Sequence, residues 1–290
     1  MVVALEKLVP KVLASHRGVV RVVETRWRRY TKRLPLAPDT FVRASSIPDL
    51  CPREEVLRHR LQCVTEEVLD VNTLITFAHG TGLHYAAQNE IFGPTEVLYG
   101  LWYCSLCGAH YGSFDINDPT DLSSLAVMPG SCVSCGATQR DIRFKELTFR
   151  DPYLRVTGHA DGVVYATDQR EFGIFELKSA SEHTLFQVRK SPLIQHVIQA
   201  HVYMHITGLR WASIVYWSKQ TAGFAALSEH VIGWDPATLD WIVDNLQEMR
   251  DCLADANLPL PARLCLKQQC KRAKDCAVAD PCFSVEDTAL

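Results

Sequence analysis

Two short repeats constrain this chain more than any other feature: Cys104-Ser-Leu-Cys107-Gly and Cys132-Val-Ser-Cys135-Gly. Each sets two thiols around one tight turn, and the glycine that follows permits the backbone to close it. Four thiolates at such spacing make a closed tetrahedral zinc site. A disulfide framework is the alternative, and it needs an oxidising compartment. No export signal is expected at the N-terminus, because Glu6, Lys7 and Lys11 interrupt its apolar residues. Metal binding therefore outranks disulfides for the eleven cysteines. A cytoplasmic location is expected on the same ground.

The knuckles occupy only part of a chain of 290 residues, 47% of them hydrophobic, so a large core can form around them. That length suggests about two domains. The net charge of −3 excludes a uniformly basic nucleic-acid binder, so any such contact must come from local patches. Residues 1–33 supply one, with nine Lys or Arg against Glu6 and Glu24. The alternative for that stretch is a solvated helix face. No uncharged apolar run approaches the roughly 18 residues a membrane span needs, so no membrane association is expected.

Two proline-bearing stretches, 34–39 and 257–263, read as linkers. They divide the chain into a basic helical segment (1–40), a core (41–99 and 141–256), a knuckle insertion (100–140) and a cysteine-rich tail (257–290). Within the core, helices are expected near 52–70, 81–91, 184–207 and 234–255. Strands are expected near 154–157, 161–166, 172–178, 211–217 and 223–228. The fold class is α/β, a mixed sheet flanked by helices.

The chemistry concentrates on two of those strands. Residues i and i+2 of a strand share a face, so Glu176 and Lys178 project together and Leu177 projects to the buried side. A hairpin turning at 167–171 brings Asp161 beside Glu176. Two carboxylates that close need a cation between them, and hard oxygen ligands suit Mg²⁺ or Mn²⁺. Such an ion polarises a phosphate and acidifies a bound water. A neighbouring ammonium offsets phosphodiester charge. An exposed Glu–Lys surface pair is the plainer alternative.

In these residues the sequence resembles the PD-(D/E)XK nuclease superfamily, and within it the RecB-type exonucleases that carry an iron–sulphur cluster. That branch includes CRISPR-associated adaptation exonucleases and their viral relatives. The resemblance extends over about residues 45–285, excluding the insertion. Gly80-Thr81-Gly82-Leu83-His84 is similar to the first motif of the branch, Gly158-His159-Ala160-Asp161 to the second and Glu176-Leu177-Lys178 to the third. It implies Mg²⁺ or Mn²⁺ held at His84, Asp161, Glu176 and Leu177, with Asp161, Glu176 and Lys178 catalytic. Gln199-Ala200-His201-Val202-Tyr203 resembles the Q-x₃-Y motif. Gln199 and Tyr203 share one helix face and are expected to grip phosphate or stack a base. His196, His201 and His205 are expected to be structural.

One N-terminal and three C-terminal cysteines hold a [4Fe–4S] cluster in the family resembled. Cys51, Cys276 and Cys282 match that pattern. Cys265 and Cys270 compete for the fourth position, and Cys270 is preferred because it repeats the same spacing. Spacing alone leaves zinc open here. Cys63 and Cys252 are expected to be buried thiols. The tail also carries Arg263, Lys267, Lys271, Arg272 and Lys274, a candidate phosphate patch.

The expected function is a metal-dependent DNA nuclease, a 5′→3′ exonuclease by resemblance, acting on single-stranded DNA or DNA ends. Recombination, replication or spacer acquisition would be its setting, with proteins of those processes as partners and a host cytoplasm if viral. The rivals are a zinc-ribbon DNA-binding protein that does not cut, and a redox iron–sulphur protein.

Overall fold

The computed structural model describes residues 32–36, 41–63, 65–69, 71–166, 170–220 and 223–284. The basic segment expected over 1–40 lies outside these residues, apart from β1 (Lys32–Leu36), which pairs antiparallel with β3 (Thr65–Leu69).

The architecture is mixed α/β, as expected from the sequence. Its centre is a five-stranded mixed sheet in the order β13-β12-β11-β10-β4. These strands are β4 (Leu98–Tyr99), β10 (Gly162–Ala166), β11 (Glu171–Ala180), β12 (Trp211–Ser218) and β13 (Leu227–Gly233). β11 runs antiparallel to β10, with Phe175 opposite Gly162. It runs parallel to β12, with Glu176 opposite Ile214 and Lys178 opposite Tyr216. A parallel pair requires a crossover, which usually contains helix. Here it carries α3 (Glu182–Gln187) and α4 (Ile194–Thr207). One continuous helix was expected over 184–207. The chain breaks instead near Pro192, whose ring cannot sit in a helix interior.

Central β11 is covered on both faces. Ile174 and Ala180 join the core under α4 and α5 (Pro236–Ala254), with Ile198, Val202, Ile242 and Leu246. Phe175 and Leu177 join a second cluster with Trp102, Ile142, Phe144 and Val215. That cluster includes Cys104 and Cys132, so the cysteine module packs against the back of the central sheet. The module has its own three-stranded sheet, β5 (Leu101–Cys104), β6 (His110–Tyr111) and β7 (Ile142–Lys145). It therefore reaches past residue 140. A further sheet joins β2 (Val42–Arg43), β8 (Leu147–Asp151) and β9 (Val156–Ala160). Asp161 is the single residue between β9 and β10.

Two other helices differ from the sequence expectation. α1 (Pro52–Arg60) stops early, because Gln62 turns left-handed at φ 49° and the Cys63 amide bonds the Arg58 carbonyl at 2.8 Å. This closure ends a helix by satisfying its last carbonyls. Glycine would normally signal it, and here the residue is glutamine. α2 (Val71–Ala86) starts ten residues ahead of the expected 81, and residues 87–92 continue it as a π-helical turn. The last strand runs 227–233 in place of 223–228. No helix among the described residues is long and apolar enough to cross a membrane.

The tail folds back onto α1 with α6 (Lys271–Asp275) and α7 (Ala279–Ser284). Arg53 is fully buried between them. Its guanidinium donates to the Pro261 carbonyl at 3.0 Å and the Cys282 carbonyl at 3.3 Å. Arg60 donates to the Cys252 and Leu258 carbonyls, each at 3.1 Å. Cys252 is buried, as expected, and Cys63 is half-buried against the same core.

Candidate active site

The site forms where α2, the β9–β10 bend and β11 meet. Gly162 is needed at the bend, because a Cβ there would collide with Leu98. Asp161 is buried and pinned from three sides. Its Oδ1 lies 2.7 Å from His84 Nδ1, its Oδ2 accepts from the Leu177 amide at 2.7 Å, and its carbonyl accepts from Gln88 at 3.0 Å.

On β11, Glu176 is 2% exposed and Lys178 lies two residues on, on the same face. Lys178 Nζ donates to Glu176 Oε1 at 2.6 Å and to Gln199 Oε1 at 2.8 Å. Gln199 Nε2 donates to Glu176 Oε1 and to the Tyr203 hydroxyl, each at 3.0 Å. Tyr203 in turn donates to the His159 carbonyl at 2.9 Å. Gly158 permits this approach, because a Cβ there would come 2.6 Å from the tyrosine ring.

Gln199 and Tyr203 thus occupy a different place from the one expected. They are 6% and 1% exposed, with their polar atoms turned toward β11 and β9. A base cannot stack on a ring buried in the core. Their contacts orient Glu176 and Lys178.

Burial pushes the Glu176 carboxyl up to about 7, against the opposing charge of Lys178. Burial works to lower the His84 pKa, but the bond and charge of Asp161 outweigh it and raise it. Glu176 Oε2 is buried and has no hydrogen-bond partner. An orphaned buried carboxylate oxygen is costly unless a cation or donor meets it.

Glu146, between β7 and β8, joins the site although no sequence signal marked it. Its carboxylate, His84 and Asp161 place ligand atoms within 4.8 Å of one another. Burial, then the nearby Asp161 charge, raise its pKa. Oxygen donors with one imidazole form a donor set that suits a small divalent cation. The group opens into a cleft of about 690 Å³, lined by residues of α2 and of the π-helical turn that continues it, between Thr76 and Asn89, and by Phe144, Glu146, Ser179 and Lys219.

The expected structural histidines are held by local bonds. His196 Nδ1 meets the Tyr216 hydroxyl at 2.8 Å, and burial lowers its pKa to about 4. His201 lies 2.8 Å from the Val197 carbonyl and accepts from the Asp235 amide at 3.1 Å.

Cys104, Cys107, Cys132 and Cys135 converge, with all four Sγ atoms within 4.8 Å of one another. The two knuckles repeat one pattern. Gly108 and Gly136 have φ of 74° and 73°, and each amide bonds the carbonyl of the first cysteine of its knuckle at 2.8 Å. The Cys104–Cys135 and Cys107–Cys132 sulphurs stand 3.7 and 3.5 Å apart. A tetrahedron with bonds of about 2.3 Å has edges of about 3.8 Å, so the four sulphurs fit one tetrahedral metal ion.

A second hollow, between α1 and the tail, is lined by Cys51, Cys265, Cys276 and Cys282. Cys270, preferred on spacing, caps α6, its sulphur accepting from the Ala273 amide at 3.3 Å, and its thiol lies beside that of Cys265.

No family model and no curated relative matches the sequence. Solved structures similar to this one include an alkaline exonuclease from Laribacter hongkongensis, 15% identical, with a TM-score of 0.44 over 74% of this chain and 88% of that one. SSO0001 is 11% identical, with a TM-score of 0.38 over 87% of this chain and 88% of its own. A phage-related exonuclease from Haemophilus somnus 129PT is 14% identical, with a TM-score of 0.31 over 79% of this chain and 98% of that one.

Proposed function

We propose that the chain is a Mg²⁺- or Mn²⁺-dependent deoxyribonuclease of the PD-(D/E)XK type. One observation carries the reading: Asp161, Glu176 and Lys178 converge beside His84, with the buried Glu176 Oε2 left without a donor. His84, Asp161, Glu176 and the main chain of Leu177 would hold the ion, with Glu146 within reach of it. When bound, the ion would polarise a phosphodiester and acidify a water. Lys178 uses two of its three N–H donors on Glu176 and Gln199. The third is left for a water or a phosphate oxygen. Gln199 and Tyr203 fix Glu176 and Lys178 in register with Asp161.

The resemblance to RecB-type exonucleases supports 5′→3′ action on single-stranded DNA or ends. The test is Mn²⁺-dependent release of labelled nucleotides from DNA by the wild type, compared with Asp161→Asn. Equal release by both would remove this site from the reaction.

The knuckle cluster is proposed to bind one zinc that clips the module to the sheet. Zinc content is expected to fall by about one per chain in Cys104→Ser/Cys107→Ser, because a closed site needs all four ligands. Unchanged zinc in that variant would contradict the assignment.

The second hollow is proposed to hold a [4Fe–4S] cluster through Cys51, Cys265, Cys276 and Cys282. Anaerobic protein should contain iron and acid-labile sulphide. Cys51→Ser and Cys265→Ser should lose them, and Cys270→Ser should keep them. Iron lost from Cys270→Ser and kept by Cys265→Ser would reverse the choice of fourth ligand.

A further inference from the structure

The burial of Gln199 and Tyr203 leaves the cleft in need of another surface to hold a substrate. α2 supplies one. None of its residues is fully buried, although Leu74, Ile75, Phe77 and Leu83 make it strongly apolar. Phe77, Thr81, His84 and Gln88 follow one another at helical spacing and all line the cleft, with Tyr85 beside His84. The metal-site histidine and the two aromatic rings are therefore carried on the same side of one helix. Phe77 is 53% and Tyr85 41% exposed, and each ring borders the cleft.

Charge and shape add to this. The Arg143 guanidinium stands 5.6 Å from the centre of the Tyr85 ring. Lys219 lies on the cleft wall with no ion pair among the described residues. Gly80 bares the helix backbone between the rings. A Cβ there would meet nothing nearer than Ser179 Oγ at 3.8 Å, so packing does not require the glycine. Glycine inside a helix weakens it, and one use of it is close approach of backbone to a ligand.

We propose that Phe77 and Tyr85 are base-stacking residues that hold an unpaired nucleic-acid strand across the metal site. The inference rests on the nuclease reading of that site. Cations beside exposed rings match a ligand with an anionic backbone and flat apolar faces. Bases inside a duplex have their faces covered, so the rings can engage only unstacked ones. Eight residues of helix separate the two rings by about 12 Å along the axis. That exceeds the spacing of about 3.4 Å between stacked bases, so they hold two separate bases. His84 lies between them in sequence, which sets the intervening backbone beside Asp161 and Glu146.

The test is fluorescence anisotropy with a labelled oligo-dT strand and with its dT·dA duplex, Ca²⁺ replacing Mn²⁺ to prevent cutting. Phe77→Ala and Tyr85→Ala should each weaken strand binding roughly tenfold, and the double variant roughly a hundredfold. Phe77→Trp should bind like the wild type, and duplex affinity should stay the same in every variant. Both side chains are exposed, so melting temperatures should not move. Strand binding by the double variant equal to wild type would overturn the proposal, as would equal losses for strand and duplex. The two readings separate cleanly. A wild type that binds the strand through these rings but does not cut refutes the nuclease and leaves the platform standing. A double variant that binds as tightly as an active wild type refutes the platform alone.

Discussion

Lys178→Met is expected to reduce DNA hydrolysis by about 10²–10³-fold or more while leaving the protein folded and able to bind DNA. Removing one preorganised donor from a reacting centre commonly has that effect. Here the loss has a second component. Lys178 lies 2.6 Å from Glu176 Oε1, and its charge restrains a carboxyl that burial already pushes up to about 7. Without the ammonium, the Glu176 pKa must rise further. The sign follows directly: an ionised Glu176 is needed to hold a cation, and ionisation would then require higher pH. Residual activity of Lys178→Met should therefore climb toward alkaline pH over a range where the wild type has already levelled off. A pH–rate profile checks this. A profile that keeps its wild-type shape with only modest loss of rate would mean that Lys178 is a surface partner of Glu176 and nothing more.

Arg53→Met should destabilise the protein by about 3 kcal/mol, because each buried carbonyl left without a donor costs about 1–3 kcal/mol. The residue is 0% exposed and donates to carbonyls at both ends of the tail, Pro261 and Cys282. Methionine fills much of the volume but donates nothing. For a chain of this size the melting temperature should drop by roughly 5–10 °C. The tail should also become the preferred site of limited proteolysis, since α1 would no longer hold it. If thermal melting and proteolysis of Arg53→Met match the wild type, the latch is energetically idle.

Local rules made several parts of the site legible in the sequence. Strand alternation gave the common face of Glu176 and Lys178, and the structure sets Leu177 on the opposite face with Trp102. The C-x₂-C-G repeats were legible because a knuckle is a property of a few consecutive residues. What depended on tertiary structure was not. Glu146 belongs to no motif and reaches the site only because β8 pairs with β9, with Leu147 opposite Ala160. The helix expected from 81 begins at Val71, so that Gly80 and Gly82 both lie inside a helix of sixteen residues. Helical spacing correctly paired Gln199 with Tyr203 but could not say which way the pair faces. The equal spacing that favoured Cys270 did not mark Cys265, which lines the hollow with the Cys270 thiol beside it.

Asp161, Glu176 and Lys178 are proposed to form a metal-dependent DNA-cutting centre. This is tested most directly by incubating the wild-type protein and Glu176→Gln with DNA labelled at the 5′ end, single-stranded and duplex, with Mn²⁺ or with EDTA. Short labelled products are expected from the wild type with Mn²⁺, none with EDTA, and none from Glu176→Gln under either condition. Intact DNA after prolonged incubation of metal-loaded wild type, or equal cutting by Glu176→Gln, would contradict it.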